Sequence, residues 1–171
     1  MADFPRRSIA VLMDTAIHES FRPYVEYLRP AFERLMAMRP VTIETLPRSV
    51  PSECIYLFSE GDSHLYVGRT RRLRNRLRQH SIPAAQHNQA VFAFRLAREQ
   101  TGRLEAAYNK SDSRPTLQAD PVFAAAFAAA KVRIRKMDLR FVEECVPLKQ
   151  ALLEIYVSVV LGTPYNDFNT H

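Results

Sequence analysis

The sequence predicts an α+β fold, a small three-stranded antiparallel sheet flanked by helices, with a helical N-terminal extension. Three observations carry that expectation. Cys54 to Phe58 and Leu65 to Val67 are short apolar runs separated by Ser59, Glu60, Gly61, Asp62 and Ser63, the pattern of a β-hairpin with a loop of about five residues. Asp138 to Glu143 (DLRFVE) alternates with period two, as a third strand does. Apolar residues elsewhere recur at three and four, the spacing of helices that bury one face.

Taken in order, residues 1–47 read as a helical extension and linker, and residues 48–171 as the main domain. Ser8 to His18 and Pro23 to Met38 are helical in pattern. Pro23 falls in a first turn, where its missing N–H is no loss, while Pro30 is expected to kink or divide the helix. Tyr24, Tyr27, Leu28, Ala31, Leu35 and Met38 make one apolar face, suited to packing on the core or on another subunit. A homodimer through these helices therefore stays open. Pro40 to Pro47 alternates briefly between prolines and reads as a linker or an edge strand.

After the hairpin, Gly68 permits a sharp exit from the second strand, and six arginines follow within the ten residues Arg69 to Arg78. On a helical wheel Leu73 and Leu77 form the buried stripe. Arg72, Arg76 and His80 line one border of it, and Arg71, Arg74 and Arg78 fall on the other side, free for phosphate. Asn88 to Glu99 (NQAVFAFRLARE) suits either a strand or a buried helix. An insertion then spans about residues 100–135. It opens with a loop-rich stretch that has room for a short helix at Arg103 to Tyr108. A longer helix follows, with Asp120 as N-cap and Pro121 at the first position. Lys131, Arg133, Arg135 and Lys136 near its end read as solvated charges that suit the negative end of the helix dipole. Pro147 opens the last helix, Leu148 to Leu161, which Gly162 and Pro164 end.

At 171 residues and 47% hydrophobic, the chain can bury a core. The net charge of +6 and sequence pI near 9.6, with the excess concentrated in Arg69 to Arg78, favour a polyanionic partner over an acidic small molecule. Cys54 and Cys145 are too few for a disulfide framework or a four-ligand zinc site. Both lie in apolar surroundings that suit free buried thiols, and a reducing cytoplasmic setting fits. No apolar run approaches the roughly 20 residues of a transmembrane helix, so membrane insertion is not expected.

The chemistry-bearing residues are few. Tyr56 and Tyr66, ten positions apart across the hairpin, can reach one site. Their phenols, with ordinary pKa values near 10, serve as bases at neutral pH only where a cation or guanidinium stabilises the phenolate. Glu154 lies in ALLEIYVSVVL, apolar on nearly every side, where an unpaired carboxylate is costly or protonated. A divalent cation would compensate it, since Mg²⁺ commonly takes one or two protein carboxylates and keeps water and phosphate as its other ligands. A buried ion pair with an arginine such as Arg76 would compensate it too.

In this order the residues resemble a GIY-YIG nuclease module. Its two tripeptides read Cys54-Ile55-Tyr56 and Tyr66-Val67-Gly68, followed by a helix with Arg76 and His80, then Glu154 on a later helix and Asn166 in TPYNDF. Cys54 stands where the family usually has glycine, and Val67 replaces isoleucine. The resemblance covers roughly residues 50–171 and implies a helix for 88–99. It further implies a metal-dependent DNA endonuclease, with Mg²⁺ or Mn²⁺ bound by Glu154 and single-step hydrolysis of the phosphodiester by water. The resemblance leaves open which tyrosine is the general base; Tyr56 is the expected one, and Tyr66 the group that orients water or phosphate. Arg76 would bind the scissile phosphate, and His80 would protonate or hydrogen-bond near it. Arg69, Arg71, Arg72, Arg74, Arg78 and Asn166 are expected to contact the nucleic acid. The alternatives are a DNA-binding or scaffold protein that keeps the fold without cutting, and a ribonuclease.

Overall fold

The computed structural model describes residues 17–103, 113–166 and 168. The expected helices at Ser8 to His18 and Arg103 to Tyr108 lie outside the described residues except at their ends. The hairpin forms from β1 (Cys54–Glu60) and β2 (Ser63–Thr70). Its strands run further than expected, leaving Gly61 and Asp62 as the turn. Gly61 has φ 56°, the positive value that the first position of a tight hairpin turn requires. The register shifts between Phe58 and Ser59, so that Leu65 is an extra residue in β2, a β-bulge. β3 (Asp138–Glu143) pairs on the other side of β1, giving the order β2-β1-β3 with both pairs antiparallel. The expected α+β architecture with a three-stranded antiparallel sheet is thus observed.

Side chains alternate across a strand, and β1 is buried on both sides from Cys54 to Ser59. Cys54, Tyr56 and Phe58 face one cluster, with Leu73 and Leu77 of α2 (Leu73–Ser81), Phe92 of α3 (Val91–Gln100), Leu117 of α4 (Arg114–Ala119) and Phe127 of α5 (Pro121–Lys136). Ile55 and Leu57 face the other, with Ala31 and Leu35 of α1 (Arg22–Ala37) and Leu153 and Val157 of α6 (Pro147–Leu161). The apolar face of α1 therefore packs on the core, and α1 with α6 closes one face of the sheet. Pro30 lies within α1 without dividing it. The segment after α1 meets the sheet at one point, where Val41 and Leu139 exchange backbone hydrogen bonds of 3.0 and 2.7 Å at the outer edge of β3.

The end of α5 differs from expectation. Asp120 caps the helix as read, accepting from the Phe123 N–H at 2.9 Å, but three of the four basic residues bind neighbouring elements. Lys131 is buried, lies over the Phe127 ring, and donates to the carbonyls of Pro83, at 2.8 Å, and Ala85. Arg135 donates twice to the Ser81 carbonyl, at 2.7 and 3.0 Å, and Arg133 pairs with Glu60 at 2.6 Å. The physical reason is that the Ser81 carbonyl at the end of α2 has no partner within its own helix and the carbonyls of Pro83 and Ala85 lie in the loop that follows, where long cations reach them while their stems cover apolar surface. α2 is thereby held in place from below.

α6 ends at Gly162 in the left-handed region, φ 61°, as a C-terminal glycine does. Cys54 is buried, which pushes its thiol up to about 12. Cys145 is exposed, contrary to expectation, because it falls in the turn between β3 and α6. No helix among the described residues is long and apolar enough to cross a membrane.

Candidate active site

Tyr56 on the central strand sits opposite Gly68 on the edge strand β2. Gly68 lies inside β2 and makes no sharp exit. A methyl group there would come within 2.4 Å of the Tyr56 Oη and 2.5 Å of its Cζ. Glycine is required because the Tyr56 ring lies across it, which brings the phenol of the central strand out toward the edge of the sheet.

The Tyr56 hydroxyl is fully buried, 2.9 Å from His80 Nε2, and Arg76 Nε donates to it at 3.2 Å. A guanidinium can only donate. The arrangement that uses the Tyr56 hydroxyl as both donor and acceptor has Tyr56 donating to His80 Nε2, which puts the imidazole proton on Nδ1. Burial raises the Tyr56 pKa well above its usual range, the neighbouring Tyr66 adds to the rise, and Arg76 opposes it. His80 is also fully buried, and burial, followed by the Arg76 charge, depresses its pKa well below the usual value. It is a neutral imidazole enclosed by Tyr56, Phe58, Tyr66 and Phe92, with no hydrogen-bond partner for Nδ1. Such a residue positions Tyr56; it is not placed to protonate a phosphate.

Tyr66 is the more open phenol. It is half-buried, and its ring stacks on Phe92 with centroids 4.8 Å apart and planes inclined by 10°. Arg76, also half-buried, donates from Nη1 to the Gln89 carbonyl at 2.9 Å, and both phenols lie beside its guanidinium. The expected division of labour, with Tyr56 as base, therefore meets an obstacle in burial: Tyr56 is fully buried with its hydroxyl engaged by two side chains, while Tyr66 is only half-buried.

The other half of the site comes from the opposite face. Val67 faces α6, and so does Arg69 two residues on. Arg69 Nε lies 3.0 Å from Glu154 Oε2, with the Arg69 side chain 47% exposed and that of Glu154 19%. The ion-pair partner is Arg69 and not Arg76. Burial raises the Glu154 pKa, Arg69 pulls it back, and Arg76 contributes at longer range. The Glu154 charge is in turn felt at Tyr56. Tyr56, Tyr66 and Arg76 from one face and Arg69 and Glu154 from the other thus meet around the outer edge of β2.

The remaining basic residues divide. Arg71, Arg72 and Arg78 are exposed at the start and along α2. Arg74, expected to be free, donates instead to the carbonyls of Pro47 and Arg48, fastening the incoming chain to α2. Asn166 is bound to the strand edge: its Nδ2 donates to the Val67 carbonyl at 2.7 Å, and its Oδ1 accepts from the Val67 N–H at 2.8 Å. The Tyr165 N–H donates to Leu65 O at 3.2 Å beside it. These contacts satisfy edge backbone groups that would otherwise be open, and a role in contacting nucleic acid is not what the geometry gives Asn166.

Sequence reasoning missed Phe92, Gln89, Lys131 and Arg135 as supports of this site. Phe92 was visible as one of two phenylalanines in VFAF, yet which of them meets Tyr66 depends on the rotation of α3. Among the described residues no group of three or more His, Cys, Asp or Glu is gathered as for a multidentate metal site. Glu154 fits a hard cation held by one carboxylate, with water and phosphate oxygens as the other ligands, because its partly buried charge is offset by a half-exposed guanidinium, the Arg69 backbone N–H and the more distant Arg76, with no other cation in direct contact among the described residues. Comparison with known proteins gives no match: no family model, no curated protein and no solved structure matches this chain.

Proposed function

We propose that the protein is a GIY-YIG-type endonuclease that hydrolyses DNA phosphodiester bonds with Mg²⁺ or Mn²⁺. The observation that carries this reading is the gathering of Tyr66, Arg76, Arg69 and Glu154 around the outer edge of β2, next to the exposed Arg71, Arg72 and Arg78. A DNA-binding module needs only the exposed arginines; it has no use for a partly buried carboxylate and two phenols brought to the same place. That surplus of acid–base groups favours catalysis over scaffolding.

Hydrolysis needs an activated water, stabilisation of phosphate charge and help for the leaving oxygen. Tyr66, the more accessible of the two, acts in its phenolate form, taking the proton of the attacking water and becoming the neutral phenol, while the Arg76 guanidinium beside it orients the scissile phosphate. Tyr56 and His80 hold Arg76 from behind. Glu154 would hold the divalent cation, which supplies charge neutralisation at the phosphate and leaving oxygen. Arg71, Arg72 and Arg78 contact the DNA backbone.

The test is incubation of the full chain with plasmid, single-stranded DNA, branched DNA and RNA, with and without Mg²⁺, in wild type and Glu154→Gln. Expected are Mg²⁺-dependent cuts in at least one DNA, none with Glu154→Gln, and retained DNA affinity in the variant. DNA binding without cleavage of any substrate by the wild type would replace the reading with a binding module. Cleavage of RNA alone would make it a ribonuclease.

A further inference from the structure

Arg69 and Arg76 are both drawn to the site, but they are held differently. Arg76 is half-buried and bonded to Tyr56 and to the Gln89 carbonyl, so its place is determined from several sides. Arg69 has one ion-pair partner among the described residues, Glu154, reached by one nitrogen and one oxygen at 3.0 Å. The two partners are also unequal. Glu154 sits mid-helix with 19% of its side chain exposed, whereas Arg69 has 47% exposed at the edge of the sheet. The β2 backbone under Arg69 is pinned by pairing with Ile55. If the pair separates, the guanidinium moves into solvent and the carboxylate stays.

We propose that Arg69 is an exchangeable counter-ion that competes with the divalent cation for Glu154. This rests on the reading of Glu154 as the metal-binding carboxylate. Arg69 neutralises Glu154 before the cation arrives and is released when the cation takes the carboxylate. The freed guanidinium then lies at the strand edge, where the exposed arginines lead the DNA backbone, and it gains a phosphate in exchange for the carboxylate. The swap leaves every charge paired before and after. It also makes cation and DNA binding reciprocal: a phosphate that draws Arg69 away strengthens cation binding, and a bound cation strengthens DNA binding.

The experiment is Mn²⁺ binding to the full chain without DNA, by calorimetry or by loss of the free-ion electron paramagnetic resonance signal, for wild type, Arg69→Gln, Arg69→Lys and Glu154→Gln. Removing a competing, partly exposed ion pair should tighten Mn²⁺ binding in Arg69→Gln by about two- to fivefold. Arg69→Lys should stay near wild type, and Glu154→Gln should lose the site. The rise of melting temperature on adding Mn²⁺, recorded on the same samples, should be larger in Arg69→Gln than in wild type, which keeps the test valid for a less stable variant. Equal or weaker Mn²⁺ binding in Arg69→Gln, with the site still lost in Glu154→Gln, overturns the competition and leaves the metal reading standing. Unchanged Mn²⁺ binding in Glu154→Gln overturns the metal reading and the competition together.

Discussion

Tyr56→Phe and Tyr66→Phe remove the same atom from the same kind of ring, and the structure predicts opposite results. The Tyr56 hydroxyl is fully buried between His80 Nε2 at 2.9 Å and Arg76 Nε at 3.2 Å. His80 already has no partner for Nδ1, so Tyr56→Phe leaves a buried imidazole without a hydrogen bond on either nitrogen and releases Arg76 on one side. Stranding buried polar groups in this way costs about 1 to 3 kcal/mol. For a chain of this size that lowers Tm by roughly 2 to 4 °C per kcal/mol. Tyr66 is half-buried and keeps its stack on Phe92, 4.8 Å between centroids, as phenylalanine. Tyr66→Phe should change stability by less than about 0.5 kcal/mol and, as loss of the general base, reduce single-turnover cleavage by about 10²-fold or more. The assay is thermal unfolding and single-turnover DNA cleavage of both variants at saturating Mg²⁺. A Tyr56→Phe protein that melts with the wild type would refute the buried network, and wild-type cleavage by Tyr66→Phe would refute the assignment of the base.

Two further predictions follow from the same network. Gly68→Ala places a methyl 2.4 Å from the Tyr56 Oη and 2.5 Å from Cζ, an overpacking that should cost about 1 to 3 kcal/mol; because Cζ itself is in the way, adding Tyr56→Phe should not restore stability, and a double mutant that melts like Tyr56→Phe alone would refute the clash. The His80 pKa lies below its unfolded value of 6.5 because burial penalises the cation, so below pH 6.5 the unfolded chain binds a proton that the folded chain does not. Stability from this residue is full above pH 6.5 and declines as pH falls toward the depressed folded pKa, with a slope approaching about 1.4 kcal/mol per pH unit. Chemical denaturation of wild type and His80→Asn between pH 7.5 and about pH 5 should show that difference in slope, and parallel curves would contradict a buried neutral imidazole.

What was legible in the sequence was local. The hairpin, the third strand, the Asp120 cap and the Gly162 stop depend on neighbours within a few residues, and period and cap chemistry record them directly. The candidates for the proposed site were legible too, because Tyr56, Tyr66, Arg76 and Glu154 carry chemistry that a core does not need. Their roles were not. Whether Tyr56 or Tyr66 is buried depends on which strand is central, and that follows only from β3 pairing with β1, some eighty residues away in sequence. Lys131 and Arg135 looked solvated because a helical wheel shows the helix they leave and not the carbonyls at the end of α2 and in the loop after it that they reach. Arg74 misled for the same reason: its acceptors, the carbonyls of Pro47 and Arg48, lie before the hairpin in the chain.

The edge position explains why several residues of the motif are architectural. A substrate backbone can approach a three-stranded sheet in its own plane only at an outer strand, and an outer strand has open hydrogen-bonding groups that invite the wrong partner. Asn166 and Tyr165 close those groups at Val67 and Leu65, with a side-chain amide standing in for a neighbouring strand. The central strand, fully buried, cannot itself present a side chain to substrate, and Gly68 removes the one Cβ that would stop the Tyr56 ring from reaching across to the edge. Tyr56 then serves as the fixed point behind Arg76, and His80 as the fixed point behind Tyr56. A guanidinium so anchored keeps its direction when a phosphate arrives, which a flexible surface arginine such as Arg78 does not. Preorganisation of that kind is what electrostatic stabilisation of a transition state requires, and under the proposed nuclease reading it would account for burying two polar side chains at a cost in stability.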